Sequence, residues 1–225
     1  MSVITISGRV GAGEDIIAEQ VAEALGYRLI GRTMILEVLK QYGIVDHEKI
    51  LDTPPHLFDG LVDEKRSAND LLNSLYLLLA KRNNVVLVSR RAFLSLEPFL
   101  NVLSVFLQGP EAVRRRNIME WESVDEKKAA QTIRKEEESR RGIIESFHNR
   151  KWDSMQPWTL VVDTNKLGLE YVVKMIIGAN AEVAKADELF GWQDGIPTTD
   201  TIETDPAMES AVDRVFSEFA GTGKK

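Results

Sequence analysis

The segment with the clearest potential for chemistry is a glycine-rich turn near the N-terminus, with the sequence GRVGAGEDI at residues 8–16. Its glycines follow the spacing G-x-x-G-x-G, which allows successive backbone N–H groups to close around phosphate oxygens. A short β-branched strand precedes the turn and an amphipathic helix follows it, so the positive end of a helix dipole lies at the turn. The candidate nucleotide-binding residues are Gly8, Arg9, Gly11, Ala12, Gly13, Glu14 and Asp15.

The two positions that matter most for phosphate chemistry carry unusual residues. A loop of this type normally supplies a lysine to the β- and γ-phosphates and a hydroxyl to Mg²⁺. Here Glu14 stands at the lysine position, and Asp15 and Ile16 stand where a hydroxyl is expected. A like-charge pair at 4 Å costs roughly 4 kcal/mol at an effective dielectric near 20. We therefore expect Glu14 to limit phosphate affinity and Glu14→Lys to tighten ATP binding. The alternative is a tight glycine turn that binds no phosphate.

Composition excludes several classes of function. The net charge of −7 argues against nucleic acid or an anionic membrane as the main partner. The chain has no cysteine, which excludes disulfides, thiolate chemistry and cysteine-ligated metals, and its three histidines are scattered. There is no charged-then-apolar leader and no apolar run near 18 residues, so we expect a cytoplasmic protein.

The hydrophobic pattern predicts a parallel sheet covered on both faces. Strands are expected at residues 3–7, 28–30, 85–88, 102–107 and 160–162, and helical patterns lie between them. The later strands are almost continuously apolar, as is typical of strands buried on both faces. Alternating strands and helices indicate an α/β sandwich, in which ligands bind at the carboxyl ends of the strands. The glycine turn lies at such an end.

A long helix is expected from Ser123, where a capping box with Glu126 begins it, to about Phe147. Its apolar stripe stops in the middle, through residues 134–141, and resumes at Ile143. Two interpretations remain open for the interruption. The first is a solvated face with ion pairs between helical turns, and the second is a mobile arm that carries arginines over a ligand. Without a buried stripe, residues 134–141 are expected to be the least ordered helical part of the domain.

Beyond the last core helix, the composition changes twice. Residues 190–205 are rich in Gly, Pro, Thr and acidic residues, which indicates a linker. Residues 206–225 form a C-terminal amphipathic helix followed by a tail. The apolar side of that helix would either dock on the chain's own domain or bind a protein partner.

Together these segments resemble the cytidylate kinase-like family, a branch of the P-loop nucleoside monophosphate kinases. The resemblance spans about residues 3–177 and depends on the order and spacing of several short motifs. They are ITIS at 4–7, IAEQVAEALGY at 17–27, VVLVSR at 85–90, VFL at 105–107, VRRR at 113–116, ESRR at 138–141 and LVVDTN at 160–165.

The resemblance implies a fold: a three-layer P-loop NTPase-type α/β sandwich, with a five-stranded parallel sheet, helices on both faces and a helical lid. The kinase-like domain would cover residues 1–189, with the lid at about 111–147. ATP would be the phosphate donor, and the other partners would be nucleotide small molecules rather than nucleic acid or membrane. Mg²⁺ is compatible with this chemistry, although the sequence presents no clear protein ligand for it, so any metal-binding residues stay unknown.

The resemblance also implies roles for individual arginines. Arg134, Arg140 and Arg141 match lid arginines that clamp the transferring phosphoryl group, and Arg90 and Arg32 match substrate-binding positions. The chain departs from the family pattern at three places: Glu14 in the loop, Gly31 where an acid is expected, and Ser89 where a glycine precedes the arginine. Two functions follow, a cytidylate-like kinase, or a catalytically impaired kinase fold that binds a nucleotide or partner protein in a regulatory role.

Overall fold

The computed structural model of the chain describes residues 1–44, 47–51, 68–148, 151, 158–185 and 196–220. Its centre is a parallel five-stranded sheet in the order β2-β3-β1-β4-β5. The strands are β1 (Val3–Gly8), β2 (Arg28–Ile30), β3 (Val85–Val88), β4 (Val102–Gln108) and β5 (Leu160–Asp163). Each lies where the hydrophobic pattern predicts one, to within a residue or so at either end.

Helices connect the strands and cover both faces of the sheet. In chain order they are α1 (Glu14–Leu25), α2 (Arg32–Gln41), α3 (His47–Ile50), α4 (Ala68–Lys81), α5 (Ala92–Leu96), α6 (Glu111–Trp121), α7 (Glu126–His148), α8 (Thr164–Leu167), α9 (Leu169–Val183) and α10 (Pro206–Ala220). Among the described residues, none of these helices has the length and apolarity needed to cross a membrane.

Alternate side chains of each strand divide the core into two layers. On β3, Leu87 packs into the layer formed with α2, α4 and α10, whereas its neighbour Val86 packs into the layer formed with α1 and α9. Successive side chains of a strand point to opposite faces, so a central strand must be apolar on both sides. The structure confirms the predicted α/β class with helices on both faces, and it places β1 and its glycine turn at the centre of the sheet.

The long helix α7 begins two residues later than the capping box predicts. Ser123 has a left-handed backbone, with φ at 54°, and therefore lies outside the helix. Asp125 is the cap instead, because its Oδ1 accepts the backbone N–H of Lys128 at 2.7 Å. The first half of α7 then packs Ala129 and Ile133 against Val10 of the glycine turn. This contact brings the middle of α7 close to the turn.

The C-terminal segment packs against the same domain. Along α10 the fully buried side chains belong to the layer formed with α2 and α4; they are Met208, Ala211, Val212 and Val215. The predicted linker is described from residue 196 onward and includes a single turn of 3₁₀ helix at Thr199–Thr201. The buried Thr199 hydroxyl accepts a hydrogen bond from the Asn101 amide at 2.7 Å and donates one to the Asn83 amide oxygen at 3.0 Å. This part of the chain is thus tied to the amino end of the sheet.

Candidate functional site

The glycine turn has a backbone that only glycine allows. Gly11 and Gly13 have positive φ values of 83° and 96°. A Cβ at Gly11 would also lie 2.5 Å from the carbonyl oxygen of Arg114, and a Cβ at Gly8 would lie 2.4 Å from that of Leu107. Both distances are below any real Cβ contact, so the turn can approach α6 and β4 only with these residues. The close approach explains the G-x-x-G-x-G spacing.

The turn leads directly into α1 and leaves backbone donors at its start. Gly13 is the N-cap residue and provides no side-chain cap, and its carbonyl oxygen accepts the N–H of Ile17 at 3.0 Å. The N–H groups of the first turn of a helix have no acceptor within the helix. Together with the positive end of the helix dipole, they form an anion-binding site. Asp15, in the first turn, is exposed to solvent.

Glu14 does not face this site as a free negative charge. Its Oε1 pairs with Nη1 of Arg140 at 2.7 Å, and both side chains are only 13% exposed. The same nitrogen of Arg140 donates to the carbonyl oxygen of Gly8. Arg140 therefore joins the two ends of the glycine turn, and the carboxylate at the lysine position is neutralised by an arginine of α7.

A second set of arginines holds the turn against α6. Nη1 of Arg114 donates to the carbonyl oxygen of Val10 at 2.7 Å and to Oε1 of Glu137 at 2.8 Å, and Arg9 reaches Oε2 of Glu137 at 3.4 Å. Burial lowers the pKa of Arg114 from its usual value, and the carboxylate of Glu137 opposes that shift. Asn117 donates to the Gly11 oxygen at 2.9 Å. These contacts determine the shape of the turn.

Arg90 follows β3, at the carboxyl edge of the sheet, and contacts the same helix α7. It donates to the carboxylate of Glu136, and its Nη1 lies 3.4 Å from the hydroxyl of Ser139. The middle of α7 is thus joined to the domain by polar contacts from Glu136, Glu137 and Arg140. The middle of α7 thus lies over the site through ion pairs to other elements, rather than through pairs between its own turns, and whether it moves as an arm stays a prediction.

These residues surround a cleft of about 180 Å³ between the glycine turn and the end of β3. Three of the sequence-predicted side chains from separate elements line it together, namely Arg32, Arg90 and Arg140, beside Glu14 and Asp15. The lining also includes apolar side chains and three polar ones that the sequence analysis did not select. The apolar members are Ile6, Ile35, Leu51 and Val88, and the polar ones are Tyr76, Ser89 and Arg91.

The overlooked polar residues form a buried cluster. Arg91 is only 3% exposed and donates to the amide oxygen of Asn69, while the hydroxyl of Ser89 donates to the Tyr76 hydroxyl at 2.9 Å. Burial raises the pKa of the Tyr76 phenol, and the charge of Arg91 opposes this shift. One signal was available in the sequence, because Tyr76 is the polar-tipped residue within a leucine-rich helical stripe and a buried tyrosine hydroxyl needs a partner.

Two of the predicted lid arginines lie elsewhere. Arg134 and Arg141 are exposed on α7, and they are not among the described residues that line the cleft. Helix geometry explains the difference, because residues one position apart on a helix point about 100° apart. Arg140 faces the glycine turn, so Arg141 cannot face it as well.

The described residues do not supply a metal centre of their own. Within the ranges that the structure describes, no three His, Cys, Asp or Glu side chains are grouped so that they could hold a metal ion. The turn also lacks the hydroxyl that a phosphate-binding loop gives to Mg²⁺. A Mg²⁺ ion that accompanies a nucleotide is usually held by one or two carboxylates and by the substrate phosphates, so it does not require such a cluster.

Comparison with known proteins agrees with this geometry. The sequence profile of the cytidylate kinase-like family matches residues 3–166. The chain belongs to the cytidylate kinase-like family. A cytidylate kinase of Methanocaldococcus jannaschii is 26% identical over 180 residues, which cover 79% of this chain and 96% of the relative. A cytidylate kinase of Halobacterium salinarum is 27% identical over 188 residues, which cover 83% of this chain and 93% of the relative.

A solved structure shows the same fold for most of the chain. It is an uncharacterized protein from Eubacterium ventriosum, with a TM-score of 0.63, 20% identity, and coverage of 80% of this chain and 99% of that one. Helix α10 lies beyond the residues that the family profile matches, yet it contributes to the same core layer as α2 and α4. The family match thus covers the five strands, the glycine turn and α7, whereas α10 packs on the same core from outside the matched residues.

Proposed function

We propose that this chain is an ATP-dependent nucleoside monophosphate kinase of the cytidylate type, which transfers the γ-phosphate of ATP to a pyrimidine nucleoside monophosphate or a related phosphate acceptor. One observation carries the proposal. Arginines from α2, α7 and the end of β3 line a single cleft beside the glycine turn; they are Arg32, Arg140 and Arg90. Phosphoryl transfer depends almost entirely on positioning and on positive charge around the transferring group.

In the proposed reaction, the phosphates of ATP lie against the glycine turn and the first N–H groups of α1. A phosphate oxygen of the acceptor attacks the γ-phosphorus, and the bond from that phosphorus to the β-phosphate oxygen breaks to release ADP. Arg140, at the mouth of the turn, faces the charge that spreads over the equatorial oxygens. Arg90 orients the acceptor phosphate, which would replace the carboxylate of Glu136 as its partner.

A second candidate is a catalytically impaired kinase fold that binds a nucleotide or a partner protein in a regulatory role. Glu14 at the lysine position favours it, because a lysine that would contact the β- and γ-phosphates is replaced by an acid. The pairing of Glu137 with both Arg9 and Arg114 favours it as well, since these cations already have a protein counter-ion.

Turnover separates the two candidates. Purified protein is incubated with ATP, Mg²⁺ and, in turn, CMP, UMP, dCMP, AMP and GMP, and ADP formation is followed in a coupled assay. A kinase gives ADP at a rate that depends on the acceptor and exceeds the rate with ATP alone. Calorimetric binding of ATP with no acceptor-dependent ADP from any monophosphate would support the impaired fold instead.

A further inference from the structure

We propose that Glu14 is a positioning residue: it holds Arg140 at the mouth of the glycine turn, where the arginine supplies the positive charge that a lysine at position 14 would otherwise carry. This inference rests on the proposed binding of ATP at the turn. It reverses the expectation that Glu14 acts only as a repulsive charge toward phosphate.

The geometry supports a direct replacement. Gly8 ends β1 and Glu14 begins α1, so these two residues mark the two ends of the turn. Nη1 of Arg140 contacts both of them, the carbonyl oxygen of the first and the carboxylate of the second. A single guanidinium group thus lies across the turn, within reach of a side chain that starts at position 14. The cation comes from α7 rather than from the turn itself.

The ion pair between Glu14 and Arg140 is largely buried, unlike a surface ion pair, and it can fix the orientation of the guanidinium. Both side chains are 13% exposed, and burying two charges costs desolvation that a hydrophobic pair would not incur. A carboxylate that accepts a hydrogen bond from a guanidinium restricts the orientation of its planar fork. Glu14 therefore determines where the remaining donors of Arg140 lie.

Arg140 retains donor capacity for an anion. Its Nε is buried and has no hydrogen-bond partner among the described residues. An arginine offers five N–H donors, and the contacts with Gly8 and Glu14 come from Nη1 alone. A buried N–H without an acceptor is unfavourable until a ligand oxygen supplies one. Such a donor beside the start of α1 fits a phosphate group.

The other arginines near the turn are engaged differently. Arg114 is 4% exposed and is committed to Val10, Gly109 and Glu137. It holds the turn against α6, and it is not among the described residues that line the cleft. Arg140 both contacts the turn and lines the cleft, which makes it the arginine that can take the place of the lysine.

The test is a charge exchange across the pair, with ATP affinity from calorimetry and with kcat and KM from the coupled assay. Glu14→Lys removes the carboxylate that orients the guanidinium, and the new ammonium has no carboxylate to anchor it beside Arg140, so we expect ATP to bind at least tenfold more weakly. Glu14→Gln, nearly isosteric, should lower the affinity about threefold and keep the fold. The double variant Glu14→Lys with Arg140→Glu restores one cation and one anion, and should return the affinity to within about fivefold of the original.

Glu19→Lys is the matched control, because it makes the same charge change at an exposed position of the same helix. It should leave ATP affinity within twofold, and thermal melts of every variant separate loss of folding from loss of binding. Equal or tighter binding by Glu14→Lys, or a double variant no better than the single one, would overturn the inference. ATP binding without turnover in the original protein would defeat only the proposed kinase activity, whereas no ATP binding at all would defeat both proposals.

Discussion

The two sides of the cleft carry opposite balances of charge. On the side of the glycine turn, the lining comprises the carboxylates of Glu14 and Asp15 and the guanidinium of Arg140. On the side of the β3 end, it comprises three guanidinium groups, from Arg32, Arg90 and Arg91. A lysine at position 14 would make the turn side positive but would leave it less positive than the β3 side. Positive charge in the lining is therefore concentrated on the proposed acceptor side.

The comparison shows that the arginines lining this cleft are held in place by different partner groups. Arg140 is anchored by a carboxylate, and its net field is reduced by that partner. Arg91 is anchored by the amide oxygen of Asn69 and lies beside the Tyr76 phenol. The two arginines thus differ in a group that orients each of them: a carboxylate for Arg140 and an amide oxygen for Arg91.

The largest effect is expected from Arg140→Ala, which removes the cation of the turn side and leaves Glu14 buried and unpaired. Loss of one transition-state donor costs about 10²–10³ in kcat, and we expect a decrease in that range in the coupled assay. Arg141→Ala, one residue along α7 and exposed, should lower kcat by less than about threefold. Similar decreases in kcat for both variants would mean that α7 rotates about its axis before catalysis.

On the opposite side, Arg90→Ala should act on the acceptor. A hydrogen bond to a charged group contributes about 1.5–3 kcal/mol, so the KM for the preferred monophosphate should rise about 10- to 100-fold. The affinity for ATP should change little, because Arg90 lies at the end of β3 and contacts α7 rather than the glycine turn. Weaker ATP binding with an unchanged acceptor KM would reverse the assignment of the two sides.

Arg91→Met sharpens the comparison further, because it removes charge but keeps much of the volume. The substitution also leaves the amide oxygen of Asn69 without its donor, so the free energy of unfolding should fall by about 1–3 kcal/mol. The acceptor KM should rise about tenfold. A stability loss of several kcal/mol with an unaltered KM would show that Arg91 serves only the fold. Urea denaturation and steady-state kinetics provide the two measurements.

The smallest effect is expected from Tyr76→Phe. The change removes one hydrogen bond, between the phenol and the hydroxyl of Ser89, and such a bond contributes about 1 kcal/mol to stability. Ser89 also accepts the N–H groups of Arg91 and Ala92 at 3.3 Å. We therefore expect a small loss of stability and a two- to fivefold rise in the acceptor KM, with ATP affinity unchanged. A change in ATP affinity would contradict the separation of the two sides.

Local pattern was sufficient for the secondary structure around the site. The five strands and the helices of the core were predictable because β-branched, continuously apolar runs have few alternatives to a buried parallel strand. The glycine spacing likewise identified the turn, since Gly11 and Gly13 adopt positive φ values that other residues avoid. The cap of α7 was placed two residues too early, because Ser123 and Asp125 are both good caps and only the backbone path selects between them.

The sequence by itself determined the parallel sheet, the glycine turn and the presence of arginines along α7. Tertiary structure alone decided which of those arginines reaches the turn, because the rotation of α7 depends on Ala129 and Ile133 packing against Val10. It also decided that Glu14 is neutralised rather than repulsive, since its partner Arg140 lies 126 residues away in the chain. Local periodicity reports which residues share a helix face, and it carries no information about which distant face packs against it.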